Sequence, residues 1–276
     1  MKNLWLFRIK VIEIEQGALF RSYDSRSAFL WSLIHGKPDG ELRKGYVWHI
    51  GNISQVDETG LLFAIGRTTK TSKELYDESS GDFLAVDDEE APFTTAFYDS
   101  KLSVIGILPK ARLAPSPKGI ARNMSKLLNH QPMVEDNSFR IEISEIWDPE
   151  GFLQQVYDAY SVTSFSVEFD KPNPFDVQEE FHQPMERYLE ASGGKTGKAT
   201  VRGDDLDREV IEDVTRSVAS TGKDVSARIR REAGQRTVTR HIRGDPVLVP
   251  AEDDHVEDAK GFLDRMRDAY LKIRWR

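Results

Sequence analysis

Val225-Ser-Ala-Arg-Ile-Arg230, Arg231-Glu-Ala-Gly-Gln235 and Arg236-Thr-Val-Thr-Arg240-His-Ile-Arg243 run consecutively and decide the class of this fold. In the first piece Val225, Ala227 and Ile229 alternate with Ser226, Arg228 and Arg230, the period of a strand with one buried face. Ala233-Gly234-Gln235 supplies a turn, and a second strand is expected over 236–243. Strands joined this closely pair antiparallel, because parallel neighbours need a long crossover. A three-residue loop sets Arg240 opposite Arg228 across this hairpin.

The same reasoning extends in both directions. Alternating apolar runs predict strands over 3–15, 46–56, 61–69, 93–98, 102–108, 139–146, 162–169 and 198–202. Capping signals and 3.6-residue spacing predict helices over 24–34, 117–128, 148–160, 176–191, 205–219 and 256–273. Ser116 before Pro117 is an N-cap followed by a proline at the first helical position. Strands and helices are interspersed and mostly joined by hairpins. That predicts an α+β fold with mostly antiparallel sheets and packed helices, not a doubly wound parallel sheet. Residues 129–138 read as a linker, which divides the chain into domains at 1–132 and 137–276.

The chain has 276 residues, 39% hydrophobic and 30% charged, a length and composition suited to about two domains of a soluble protein. No apolar run reaches the roughly 18 residues of a membrane span, so no direct membrane insertion is expected. Charge interrupts the first eight residues too early for a secretory leader. With no cysteine, disulfides, thiolate metal sites and a cysteine nucleophile are excluded, and a reducing, cytoplasmic setting fits.

The net charge of −8 hides a segregation. Residues 74–90 carry eight acids and no base; this segment is expected to be an exposed helix or loop. Residues 223–243 carry seven Lys/Arg against two acids, and residues 260–276 carry six against two. An acidic total therefore does not argue against a polyanionic partner.

Catalytic motifs fail on inspection. Gly193-Gly-Lys-Thr-Gly-Lys-Ala199 resembles a phosphate loop, but no register satisfies G-x-x-x-x-G-K-[ST], and a strand is expected after it. Asp87-Asp-Glu-Glu90 lacks the spacing of a calcium loop and reads as a solvated face. Asp204-Asp-Leu-Asp207 reads as a helix N-terminus. Glu168-Phe-Asp-Lys171 has E-x-x-K rather than E-x-K spacing, which puts Glu168 and Lys171 on opposite faces of a strand. No G-x-S-x-G elbow occurs, and His49 reads as a half-buried sheet histidine. No catalytic residue, metal ligand or cofactor is assigned. In the last helix Ala259, Phe262, Leu263, Met266 and Tyr270, with Val256 before them, form a core or dimer stripe.

The basic hairpin carries the most information. Arginine forks match phosphate oxygens, and like charges opposed on a sheet face need a counter-charge. No Phe, Trp or Tyr lies between 189 and 261, so base stacking is not the expected mode, and contact with duplex phosphates fits better.

The last third also resembles a known family. It runs Lys198-Ala-Thr-Val-Arg202, a helix over 205–218, the hairpin of 225–243 and an amphipathic helix over 257–273. Upstream, Asp87-Asp-Glu-Glu90 before a strand, Ile105-Gly106, the Pro-Ser-Pro helix and Phe139-Arg-Ile-Glu142 add to the likeness. In this order the chain resembles the RexA-like exclusion proteins of phage lambda. The resemblance implies a two-domain α+β, dimeric, cytoplasmic protein that binds DNA with little sequence preference. It would act in phage exclusion, an abortive-infection defence, with a membrane-protein partner encoded beside it. It carries over only a basic surface, placed on Lys195, Lys198, Arg202, Arg228, Arg230, Arg231, Arg236, Arg240 and Arg243. The acidic segment would then steer DNA toward this surface or mask it. Two other readings stay open: a metal-dependent nuclease using Glu168, Asp170 or the acidic cluster, and an interaction subunit whose basic face meets an acidic protein.

Overall fold

A computed structural model describes residues 2–14, 23, 25–170, 188–189, 191–194, 196–251 and 258–274. The chain clusters into two compact units. One is built mainly from Val11–Ile143 and the other mainly from Ser144–Val249, with the first strand and the last helix contributing residues to both. All described strand pairs within the units are antiparallel, and the class is α+β.

The first strand, β1 (Lys2–Glu13), precedes α1 (Arg26–His35), β2 (Asp39–Arg43), β3 (Tyr46–Gln55) and β4 (Gly60–Asp77). Next come β5 (Asp82–Glu90), β6 (Phe93–Asp99), β7 (Val104–Ile107), α2 (Pro117–Asn129), α3 (Pro132–Asp136) and β8 (Phe139–Glu145). In the first unit the strands lie in the order β7-β6-β4-β3-β2, with β5 paired to the far half of β4. Alternation buries Leu61, Phe63 and Ile65 of β4 beside Ala96 and Tyr98 of β6. Each large side chain buried this way contributes about 2 kcal/mol. Ser116 caps α2 as its spacing predicts, its Oγ accepting from the Gly119 N–H at 3.3 Å. The stretch read as a linker holds α3, started by Pro132.

The acidic segment is neither helix nor loop; this expectation is corrected. Residues 69–77 of β4 pair with β5 in an unbroken register from Thr69↔Glu90 to Asp77↔Asp82. The segment is a two-stranded arm. Its acids suggested a loop, but Tyr76, Phe83 and Val86 favour strands. The turn is written in Asp77-Glu-Ser-Ser-Gly81. Asp77 accepts from the N–H and Oγ of Ser79 and the Oγ of Ser80, and these bonds hold its carboxyl below the usual aspartate range. Gly81 sits at φ +75° to close the turn.

The second unit holds α4 (Glu150–Tyr157), β9 (Ser161–Asp170), β10 (Thr196–Arg202), α5 (Arg208–Ala219), β11 (Val225–Arg230) and β12 (Val238–His241). The chain ends with β13 (Leu248–Ala251) and α6 (Ala259–Arg274). The sheet order is β10-β9-β11-β12. Phe165, Val167, Val225, Ala227 and Ile229 are buried on one face of this sheet, and α5 packs on β9 and β11. Asp207 caps α5, its Oδ1 accepting from the N–H groups of Glu209 and Val210. The expected aspartate cluster thus supplies the cap, while Asp205 instead accepts from the Val162 N–H at 2.9 Å and ties the loop to β9. The stripe of α6 is core, with Leu263, Met266 and Tyr270 fully buried and Tyr270 Oη accepting from Arg8. The helix expected over 176–191 falls largely outside the described residues, as does Val256.

Candidate nucleic-acid interface

The face of the four-stranded sheet opposite its apolar side is a polar surface. Alternation along β9 points Ser164, Ser166 and Glu168 toward it. Register places Arg202, Thr200 and Lys198 of β10 beside them on one side, and Arg228 and Ser226 of β11 on the other. Thr239 and His241 of β12 complete the rows. Lys198, Arg202, Arg228 and Arg243 are exposed, whereas Ser164 and Ser226 between them on the same face are buried. Short hydroxyl side chains form the floor and long cationic ones the rim. Ser166 and Thr200 share a hydroxyl–hydroxyl bond of 2.9 Å in that floor.

A bulge shapes the central row. Arg228 pairs with Ser164 and Ile229 with Val162, so Thr163 is the extra residue on β9. Its Oγ1 donates to the Arg228 carbonyl at 3.2 Å, and its carbonyl accepts from the Gly203 N–H at 3.2 Å. The bulge therefore holds the backbone next to both Arg202 and Arg228. These two stand on either side of β9, about 10 Å apart at their Cα atoms. Arg228 Nη2 donates to Thr237 Oγ1 at 3.0 Å, which steadies the side chain without an acid among the described residues to neutralise it.

The hairpin register corrects one expectation. Arg228 pairs with Thr239, and Arg240 pairs with Ala227. Directly opposed residues share a face, so Arg240 lies on the side of Ala227 and Ile229, half-buried, and not beside Arg228. Strand pairing ends at Ile229↔Val238 and leaves a longer loop than the sequence suggested. The resulting one-residue shift changes the face and removes the like-charge opposition. Arg230 is also half-buried, while Arg231 and Arg236 are exposed in the loop. Lys195 lies outside the described residues.

The acids divide the cations into two sets. Glu168 meets Arg243 at 3.2 Å, and Asp224 meets His241 at 3.1 Å and Arg243 at 3.5 Å. Among the described residues no acid pairs with Lys198, Arg202, Arg228, Arg231 or Arg236. Glu232, the acid of the loop, accepts from Gln235. Sequence reasoning missed the floor of Ser164, Ser166, Ser226, Thr200 and Thr239. Its signal was the repeated serine at alternate positions of Ser161–Asp170.

The other motifs take ordinary places. Thr196–Arg202 is a strand, so the Gly/Lys loop does not lead into a helix. His49 is a half-buried sheet residue bonded to Thr68 Oγ1 at 3.0 Å. Glu168 is held by Arg243, while the Asp170 side chain and Lys171 lie outside the described residues. Among the described residues no group of three or more His, Asp or Glu is placed to hold a metal. No described helix is long and apolar enough to cross a membrane. In comparisons with known proteins, no family model and no curated sequence matches the chain.

Proposed function

We propose that this chain binds duplex DNA through its phosphate backbone, with little sequence preference and without carrying out a reaction on it. The observation that carries this reading is the cationic rim of Lys198, Arg202 and Arg228 over a floor of small hydroxyls, with no acid among the described residues paired to any of the three. Guanidinium forks and serine or threonine hydroxyls are both good phosphate donors. Arg231 and Arg236 at the exposed loop extend the same charge beyond the sheet. Among the described residues no aromatic side chain lies on this face, which favours backbone contact over base stacking.

The biological setting we propose follows the resemblance: a cytoplasmic protein of phage exclusion, working as a dimer with a membrane-protein partner encoded beside it. The freedom from cysteine supports a reducing compartment.

Gel-shift titration of labelled duplexes of unrelated sequence tests the binding. The wild type is expected to bind them all within a few-fold of one another, leaving the DNA intact. Lys198→Ala/Arg202→Ala/Arg228→Ala is expected to lose roughly a hundredfold in affinity at low salt. Equal binding by wild type and triple variant overturns the assignment of this face, and cut DNA overturns the non-enzymatic reading.

A further inference from the structure

The arm formed by residues 69–77 of β4 and by β5 has side chains that a solvated hairpin does not need. Phe83 is 81% exposed and Tyr76 56%, with Leu75, Leu84 and Val86 also exposed. A two-stranded ribbon is marginal in water, and large apolar groups exposed on both its faces mark a surface that meets a partner.

Register shows what kind of partner. Tyr76 pairs with Phe83, Glu74 with Ala85 and Ser72 with Asp87, so all six share one face of the arm. The two rings lie together at 5.1 Å. This face sets one pair of rings beside Glu74 and then Asp87, and a guanidinium is attracted to rings and carboxylates alike. Over residues 69–90 the arm holds eight acids against Lys70 and Lys73, and Lys70 lies on this same face beside Glu89, so the acidic excess favours a cationic partner toward the Glu74 and Tyr76 end.

The chain itself carries the complementary surface in Arg202 and Arg228, exposed and without an acid partner among the described residues. We propose that the Tyr76–Phe83 face of the arm docks on the arginine-rimmed sheet face of a second copy. Arg202 and Arg228 lie over the rings and between Glu74 and Asp87. The hydrocarbon stems of the arginines cover the ring edges, so the contact is apolar as well as ionic. Used twice about a two-fold axis, the contact closes a dimer. It stands apart from the DNA reading; where both hold, duplex and second copy compete for one face, so this dimer is the DNA-free form and DNA binding opens it.

Sedimentation velocity without DNA, at low and high salt, tests the docking. The wild type is expected to self-associate at low salt and to dissociate as salt rises. Glu74→Lys/Asp87→Lys and Arg202→Glu/Arg228→Glu are each expected to associate about a hundredfold more weakly. An equimolar mixture of the two is expected to recover the dimer, which also shows that both are folded. Tyr76→Ser/Phe83→Ser, at exposed positions that leave the charge unchanged, is expected to weaken association about tenfold. A monomeric wild type at low salt, an arm variant that associates like the wild type, or a mixture that stays monomeric overturns the proposal. Because no DNA is present, a failure of DNA binding leaves this result unaffected.

Discussion

Arg228 and Arg240 lie on facing strands of one hairpin yet on opposite faces of the sheet, because Arg228 pairs with Thr239 and Arg240 with Ala227. The offset gives the two arginines different work. Arg228 stands exposed on the polar face, while Arg240 is half-buried on the side of Ala227 and Ile229. Arg240→Met is therefore expected to keep duplex affinity within about twofold of the wild type. Arg228→Ala is expected to lose about tenfold at low salt. Gel-shift titrations of the two single variants check the separation.

Glu168 holds Arg243 at 3.2 Å on the polar face. Glu168→Gln removes a negative charge next to the proposed phosphate path and leaves Arg243 with Asp224 alone, at 3.5 Å. Duplex binding is expected to tighten roughly fivefold at low salt and to converge with the wild type at high salt. A weaker complex would place the phosphate path elsewhere.

Below the sheet, Glu212 and Arg216 of α5 form a pair at 2.8 Å, about 5% and 6% exposed. Tyr157 donates to Glu212, and Glu150 also meets Arg216. Burial lowers the Arg216 pKa and its bonds to Glu150 and Glu212 raise it, with a net upward shift that keeps it charged. Glu212→Leu alone leaves a buried cation short of its partner and is expected to cost about 3 kcal/mol. Glu212→Leu/Arg216→Met is expected to recover most of that loss. Urea midpoints of the three proteins decide.

Capping aspartates give a cheaper test of the same unit. Asp207→Ala removes the acceptor for the Glu209 and Val210 N–H groups and is expected to cost about 1 kcal/mol. Asp205 carries a pH signature. The Val162 N–H, opposed by desolvation and helped by Arg208, lowers its pKa. A lowered carboxyl contributes stability above its unfolded pKa and loses it as pH falls through its folded value. The stability gap between the wild type and Asp205→Asn is expected to be full at neutral pH and to shrink only below the ordinary aspartate range. A gap that is constant in acid contradicts this role.

Local periodicity made most strands and helices legible, because elements such as β9, β11 and α5 each bury one face against a core, but not the short β2, α3 and β13. The hairpin register was not legible, since it depends on where pairing stops in the loop after Arg230, and one residue there exchanges the faces. The arm was hidden for a different reason. Its acids dominate the composition, and its strand character rests on cross-strand pairs such as Leu75↔Leu84 and Tyr76↔Phe83 that appear only once the turn is in place. The basic residues of the candidate face are legible by charge, but the serine floor needed the neighbouring strands.

The most direct measurement is the slope of log affinity against log salt for duplex binding by the wild type and by Lys198→Ala/Arg202→Ala/Arg228→Ala. Each phosphate neutralised contributes about −0.9 to that slope. The account predicts a steep wild-type slope that becomes shallower by roughly 2 to 3 in the triple variant, with lower affinity at every salt concentration. An unchanged slope and affinity in the variant, or no duplex binding by the wild type at low salt, would contradict it.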